Sequence, residues 1–172
     1  MSVFEARFAI TLALIAMTRS LDGTLVAIEI GRLDQLTIRA EHQFQTFAIS
    51  RHAVVERESS FAGDRATAAK RIDLADLTPG EFIRLQIDAH GRVTHARAVA
   101  VLEQAKVRSA SGSSIVLEDG TTLTIGSLLR FVNEKGKSSA TATVRPGESV
   151  LLFRHPKTRN VYRFSAEPGS KR

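Results

Sequence analysis

The chain of 172 residues contains no cysteine and no tryptophan, and it has one tyrosine, Tyr162. Without cysteine it can form no disulfide framework, no thiolate nucleophile and no cysteine-ligated zinc site. The absence of cysteine is compatible both with the cytoplasm and with an exported protein that is held together without disulfides. With 43% apolar and 24% charged residues, the composition is typical of a folded globular protein and not of a disordered chain.

The sequence also lacks an apolar run long enough to span a bilayer, which needs about 20 residues. The run FAITLALIAM at residues 8–17 has the length of the hydrophobic region of a secretory signal. The preceding residues include Arg7 but also Glu5, and cleavage is expected near Thr18. An uncleaved anchor and a buried helix are the alternatives. We therefore expect an exported or membrane-anchored protein, with membrane association through residues 8–17, and a cytoplasmic protein as the alternative.

Positive charge is concentrated in the C-terminal part of the chain. Residues 1–100 carry 12 basic and 12 acidic side chains, whereas residues 101–172 carry 12 basic and 6 acidic ones, so the net charge of +6 comes entirely from the second stretch. This asymmetry favours an acidic partner such as a nucleic acid, an anionic lipid or an anionic polymer. A basic face that serves only solubility is the alternative interpretation.

An internal repeat is the most informative feature of the sequence. Residues 78–85 read TPGEFIRL and residues 145–152 read RPGESVLL, so a Pro-Gly-Glu turn leads into an apolar strand in each half. Upstream of these turns, TFAIS at residues 46–50 matches TLTIG at residues 122–126. Matching motifs in matching order indicate two copies of one unit.

The repeated segments predict β-strands, because apolar and polar residues alternate along them. Turn signals separate the strands, and Asp119-Gly120 lies between two alternating runs, which is a strong hairpin signal. The polar, alanine-rich stretch at residues 56–71 predicts a surface loop or short helix instead. We expect an all-β chain with two tandem small antiparallel β-barrels of the OB type and a short N-terminal apolar helix or signal segment.

The predicted boundaries follow from this repeat. Residues 1–20 form the N-terminal segment, residues 21–100 the first barrel, residues 101–167 the second barrel and residues 168–172 a tail. The run DLTPGEFIRLQ at residues 76–86 and the strand GRVTHARAV at residues 91–99 resemble the DUF5666 family. The resemblance covers Leu21–Ala100 well and the rest loosely. It implies a bacterial, often exported small β-barrel without an established activity, and it implies no catalytic residues.

No set of residues predicts catalysis, a cofactor or a metal. His90 and His95 flank a predicted hairpin but have no third ligand at a suitable spacing. His155 precedes a proline and is interpreted as part of a turn. The acid pair Glu56 and Glu58 lies in the stretch predicted as a solvated loop. We also find no Gly-x-Ser-x-Gly elbow and no phosphate-binding loop, and we expect no enzyme activity.

The remaining candidates are basic residues of the second unit that could contact an anion or a nucleic acid. They are Arg130, Lys135, Lys137, Arg154, Lys157, Arg159 and Arg163. Barrels of the OB type bind single strands by combining such cations with exposed rings. Alternation places Tyr162 and Phe164 on one face and Arg163 on the other, which favours the rings as core residues.

Two functions follow from these observations. The first is a non-catalytic binding or structural module, associated with the cell envelope or part of a larger assembly, that presents barrel loops or edges to a protein partner or an anionic polymer. The alternative is a cytoplasmic tandem OB-like protein that binds single-stranded nucleic acid through its basic second unit. The sequence gives neither the oligomeric state nor the partner.

Overall fold

The computed structural model describes residues 18–61, 64–126, 129–132, 138–139 and 141–166. In these ranges the chain is built from β-strands, and its helical content is one 3-10 turn at Leu74–Asp76, so the all-β prediction is confirmed. The predicted N-terminal apolar segment at residues 8–17 and the tail lie outside the described residues. The strands are β1 (Arg19–Glu29), β2 (Gln35–Ala40), β3 (Gln43–Phe61), β4 (Lys70–Arg71), β5 (Phe82–Ile87), β6 (Val93–Ser111), β7 (Ser114–Leu117), β8 (Thr122–Thr124), β9 (Arg130–Val132), β10 (Ser138–Ser139), β11 (Ser149–Arg154) and β12 (Val161–Ala166).

In the first half, residues 18–100, five strands pair in a closed circuit, in which the last strand pairs again with the first. β1 pairs in antiparallel fashion with both β2 and β5. β2 pairs with β3, β5 pairs with β6, and β3 runs parallel to β6. Alternate residues of β2 point inward, so Leu36 and Ile38 are fully buried. They pack with other apolar side chains from all five strands into a first core, and each such side chain contributes about 1.5–3 kcal/mol on burial.

The second half, residues 101–166, repeats these pairings around its own core. The C-terminal part of β6 pairs with β11 and β7, and β7 pairs with β8. β11 pairs with β12, which runs parallel to β9. Phe131 and Phe164 meet in the second core with ring centroids 5.1 Å apart, and both are fully buried.

The two Pro-Gly turns bind their neighbouring strands in the same way. The amide of Gly80 donates to the carbonyl of Leu25 at 2.8 Å, and the amide of Gly147 donates to the carbonyl of Val107 at 2.7 Å. Both glycines adopt positive φ angles, 94° and 86°, which other residues enter only with strain. The motif that repeats in the sequence therefore repeats as a hydrogen-bonded structure.

The two halves also share the positions at which strand register shifts. One shift follows the residue that accepts the glycine amide, and the other lies near the end of the strand that follows the turn. The shifts lie between Leu25 and Ala27, Val107 and Ser109, Gln86 and Ile87, and Phe153 and Arg154. Since a bulge bends its strand and increases the local twist, matching bulges give the two halves matching curvature.

Two long strands depart from the expected pattern of short ones. The prediction of a loop or short helix at residues 56–71 is wrong at both ends, because β3 continues to Phe61 beside β6 and residues 70–71 form β4, which pairs with β3. The charges that made this stretch resemble a loop are paired across the sheet, which stabilises a strand. β6 has 19 residues and runs through both halves without a linker. The predicted boundary between residues 100 and 101 falls inside β6, and the domain limits stay a prediction.

Candidate functional site: an arginine-lined cavity

A cavity of about 290 Å³ lies between the two halves of the molecule. The first half contributes Arg57 and residues 75–78, and the second half contributes Arg130, Val132 and Arg163. Three arginines therefore line one partly open cavity. We call the region around it, where residues 75–82 meet residues 154–163, the junction.

Two of the predicted anion-binding residues line this cavity. Arg130 and Arg163 are direct partners in the parallel pairing of β9 with β12, and this register places them side by side. Arg130 is exposed, whereas Arg163 is partly buried. In the part of the chain that the structure describes, neither forms an ion pair with a carboxylate.

The other predicted residues are not brought to the cavity. Arg154 is held by Glu103, with Nε 2.7 Å from a carboxylate oxygen, and its Nη1 donates to the carbonyl of Arg159 at 3.0 Å. Arg159 is exposed in the turn that follows β11, with a positive φ of 62°. Lys135 and Lys137 lie outside the described residues. The predicted set is therefore divided among several places.

The side chain of Arg57 is 14% exposed. Its Nη2 donates to the carboxylate of Glu81 at 2.7 Å and to the carbonyl of Asp76 at 2.7 Å. The 3-10 turn fixes this carbonyl, because the carboxylate of Asp76 accepts the amide of Asp73 at 3.2 Å. These bonds leave Nε of Arg57 buried without a partner.

Glu81 lies behind Arg57 and is completely buried. Burial raises the pKa of Glu81, and the positive charge of Arg57 opposes that rise. One of its carboxylate oxygens accepts the bond from Arg57, and the other is buried without a partner. Glu81 and Arg57 form an ion pair at the wall of the cavity.

Arg163 has the chemistry of an anion-binding residue with unused donors. The Cζ atom of its guanidinium lies 4.6 Å from the centre of the Phe153 ring, and this cation–π contact orients the guanidinium group. Its Nε is buried and has no hydrogen-bond acceptor. Burial and then the neighbouring charge of Arg57 lower the pKa of Arg163, so the site penalises its own positive charge. A bound anion would remove this penalty.

Tyr162 closes the junction next to the cavity. A Cβ atom at Gly80 would lie only 2.7 Å from the Cβ atom of Tyr162, so the glycine is needed for this approach. Burial raises the pKa of the Tyr162 hydroxyl, which has no hydrogen-bond partner. Tyr162 is buried as expected, but Val161, not Tyr162, packs with Phe164 in the second core. The register shift in β11–β12 accounts for this difference from simple alternation.

His155 joins the two halves at the other end of the junction. It is 4% exposed, its Nε2 lies 3.0 Å from the hydroxyl of Thr24, and its ring meets the edge of Phe82 at 5.3 Å. Its Nδ1 accepts the amides of Lys157 and Thr158, both at 3.2 Å, which confirms the interpretation as a turn residue.

Lys157 belongs to the same contact. Its Nζ lies 4.7 Å from the centre of the Phe82 ring and 3.9 Å from a carboxylate oxygen of Asp22. This predicted anion-binding residue therefore reaches the first half of the chain and not the cavity. Its ammonium group helps to hold the two halves together.

The predicted solvated acids form an ion cluster on the sheet. Glu56 accepts hydrogen bonds from His95 at 3.0 Å and from Arg97 at 3.2 Å, and Glu58 lies 3.6 Å from Arg97. The hydrogen bond from His95 is the largest cause that lowers the pKa of Glu56. The interpretation of Glu56 and Glu58 as loop residues is therefore wrong. Their partners leave them with a structural role in joining β3 to β6.

Sequence reasoning missed Arg57 and the role of Glu81. Arg57 belongs to the stretch that was expected to be a loop. Glu81 was assigned only to a turn motif that it shares with Glu148. No local signal distinguishes the two glutamates, since Glu81 gains its partner from Arg57 of β3, 24 residues earlier in the chain.

The described residues contain no cluster of three or more acidic or histidine side chains that could hold a metal ion. Within the same ranges there is no helix with the length and apolarity required to cross a membrane. No protein-family model matches the sequence, and no curated protein matches it. The resemblance to the DUF5666 family therefore stays a prediction.

Proposed function

We propose that the protein is a non-catalytic binding module, built from two OB-like barrels, that holds an anionic group of its partner in the arginine-lined cavity. The observation that carries the proposal is the convergence of Arg57, Arg130 and Arg163 on one partly open cavity. The partner that fits is an anionic polymer or an acidic segment of a protein.

The order of pairings supports the barrel part of the proposal. Numbered along the chain, the five main strands of the first half pair in the cyclic order 1-2-3-5-4, with the third and fifth parallel. This order is typical of a five-stranded OB barrel. In the second half β9 takes the parallel place beside β12, and the continuous β6 provides the first strand. A duplicated barrel explains why turns and bulges coincide.

The state of the arginines supports the anionic ligand. A guanidinium group presents a planar set of donors that fits carboxylates, sulfates and phosphates in a two-point geometry. Among the residues that the structure describes, no carboxylate forms an ion pair with Arg130 or Arg163, and Nε of Arg163 is buried without an acceptor. Arg130 and Arg163 are like charges side by side, and an anion between them converts their repulsion into attraction.

The nucleic-acid alternative receives less support. Single-strand binding of the OB type uses exposed rings as stacking platforms. In the second half Phe131, Tyr162 and Phe164 are each at most 3% exposed, and the ring of Phe153 is covered by Arg163. We retain an oligonucleotide as one ligand in the test, where true phosphate contacts would give affinity that falls steeply with salt.

Envelope location remains part of the proposal. Its support is the apolar run at residues 8–17 and the resemblance to the DUF5666 family. Mass spectrometry of the protein from its native host is expected to show cleavage near Thr18, or partition of the intact chain into membranes. A soluble, intact chain that retains Met1 would count against an envelope location and leave the cavity proposal in place.

Calorimetric or NMR titration of the full chain with acetate, dimethyl phosphate and sulfate tests the binding function. At least one of these anions is expected to bind the wild-type protein. The double variant Arg130→Gln, Arg163→Gln is expected to bind it at least about tenfold more weakly, because each hydrogen bond to a charged group contributes about 1.5–3 kcal/mol.

The matched control is the double variant Arg108→Gln, Arg145→Gln. It removes the same net charge from exposed positions of the second half outside the cavity. Retained affinity in this control shows that position and not overall charge matters. Absence of binding by all three anions, or an equal loss in both double variants, would contradict the proposed function.

A further inference from the structure

Glu81 and Glu148 hold the same place in equivalent turns but have different surroundings. Their amides form the same turn bond, from Glu81 to the carbonyl of Thr78 and from Glu148 to that of Arg145, both at 3.1 Å. The side chain of Glu148 stays within its own turn, where its carboxylate accepts the amide of Arg145 at 2.9 Å. The side chain of Glu81 is completely buried, and its carboxylate accepts a hydrogen bond from Arg57.

This difference sets the charge of the cavity. Its described charged groups are the three lining arginines, the lining carboxylate of Asp76 and the carboxylate of Glu81 behind Arg57. With all of them ionised, one positive charge remains to be balanced by a ligand. A singly charged anion leaves the site neutral, whereas a doubly charged anion leaves a net negative charge near the buried carboxylate of Glu81, which is costly.

The orientation of Arg57 leads to the same conclusion. Its Nη2 is occupied by Glu81 and by the carbonyl of Asp76, so it cannot turn fully towards a ligand without breaking two short hydrogen bonds. The ligand is left with Arg130 and Arg163, which form no ion pair within the described ranges and whose two guanidinium groups suit an anion with two or three free oxygens. These are the oxygens of a carboxylate, a sulfate ester or a phosphodiester.

We infer that the cavity selects singly charged oxyanions over doubly charged ones, and that Glu81 sets this selectivity by holding and neutralising Arg57. This inference rests on the proposed function and narrows its ligand class. Glu81 does not line the cavity, so its effect passes through Arg57, and it is a positioning residue for the site.

Sulfate and methyl sulfate provide a direct test, because they share the tetrahedral group and differ by one charge. Both are titrated into the full chain at pH 8 and followed by calorimetry or by backbone amide shifts. The wild-type protein is expected to bind methyl sulfate at least as tightly as sulfate. In the variant Glu81→Gln, the ratio of sulfate to methyl sulfate affinity is expected to rise by about tenfold or more, since the extra positive charge acts on twice the ligand charge.

The matched control is Glu148→Gln, which removes the same carboxylate from the equivalent turn and is expected to leave the ratio unchanged. If Glu81→Gln does not fold, Asp76→Asn reports on the same charge balance, with an expected rise of about threefold because its carboxylate is exposed. Titration with acetate and with dimethyl phosphate then shows whether the preferred singly charged ligand is a carboxylate or a phosphodiester.

The two proposals fail in different ways. If neither sulfate nor methyl sulfate binds the wild-type protein, the binding function and the inference both fall. If both bind through Arg130 and Arg163 but the ratio is the same in the wild type, Glu81→Gln and Asp76→Asn, only the role of Glu81 falls. A stronger effect of Glu148→Gln than of Glu81→Gln would also overturn it.

Discussion

The two halves share their backbone pairing but use equivalent side chains differently. At the tip of the last hairpin of the first half, the carboxylate of Asp88 accepts the amides of His90 and Arg92 at 2.8 and 2.9 Å. At the same point of the second half, the Nδ1 atom of His155 accepts two amides of its own turn, and its other nitrogen reaches Thr24 across the junction. One position thus closes a turn in both halves and joins the halves only in the second.

The glutamates of the Pro-Gly turns also differ between the halves, but here it is the residue of the first half that lies at the junction. Glu148 serves its own turn, whereas Glu81 is buried against Arg57 at the cavity. Backbone pairing depends on alternation and turn residues, which both halves retain. Contacts at the junction depend on single side chains, which differ between the halves. The comparison therefore locates the specialised part of the molecule at the junction.

The largest expected difference between the halves is in the free energy of unfolding that is lost when the glycine of each Pro-Gly turn is replaced by alanine. Gly147→Ala is expected to cost about 1–2 kcal/mol, the penalty for placing a side chain at positive φ in open space. Gly80→Ala is expected to cost about 3–4 kcal/mol, because its Cβ atom must also displace Tyr162. Urea unfolding of both variants measures the difference. Equal costs would show that the junction is not packed as described.

A smaller effect is expected for the hydroxyl of Tyr162. Tyr162→Phe is expected to raise the free energy of unfolding by about 1 kcal/mol, since it removes a buried polar group without a partner. Thr94 occupies the equivalent strand position of the first half, and its hydroxyl donates to the carbonyl of Gln86 at 3.2 Å. Thr94→Val is therefore expected to destabilise the protein by about 0.5–1.5 kcal/mol. Thermal unfolding that shows a loss for Tyr162→Phe would indicate that the hydroxyl has a partner.

The smallest expected effect is the pH dependence contributed by His155. Burial, followed by the charges of Lys157 and Arg39, lowers the pKa of His155 below its ordinary value of 6.5. The unfolded chain then binds the proton more readily, so the stability due to the neutral ring is complete above pH 6.5 and is lost as the pH falls below it. His155→Asn keeps an acceptor for the turn amides and does not titrate in this range.

Comparison of the two proteins isolates this contribution. The urea midpoint of the wild type is expected to fall more than that of His155→Asn between pH 7.5 and pH 5.5. Because both proteins share all other titrating groups, the difference belongs to His155. A wild-type midpoint that falls less than that of the variant would contradict the assigned neutral state of the ring.

Local patterns in the sequence predict most of the strands. The alternation in residues 82–87 and the Pro-Gly turn before them lead directly to β5, and the Asp119-Gly120 signal leads to the hairpin of β7 and β8. The end of β3 was missed because Glu56 and Glu58 gain their partners from β6, which lies about 40 residues further along the chain. The local composition of residues 56–61 does not predict such a pairing.

The candidate site was only partly predictable for the same reason. Arg130 and Arg163 were identified by their charge, but so was Arg154, whose carboxylate partner Glu103 lies on the neighbouring strand. Whether an arginine is free or paired depends on the register of strands that are distant in sequence. The contact of Arg57 with Glu81 joins β3 to a turn 24 residues later, and the place of both beside Arg130 and Arg163 depends on the position of one half against the other. No repeat or motif encodes either of these.

The most direct measurement is a map of backbone amide shifts while methyl sulfate is titrated into the full chain. A cavity made by the junction gives its largest changes at residues 57, 75–78, 130–132 and 163, with little change at the equivalent Pro-Gly turn of the second half, residues 145–148. Changes spread evenly over the basic surface of the second half, or centred on residues 145–148, would contradict binding between the two halves.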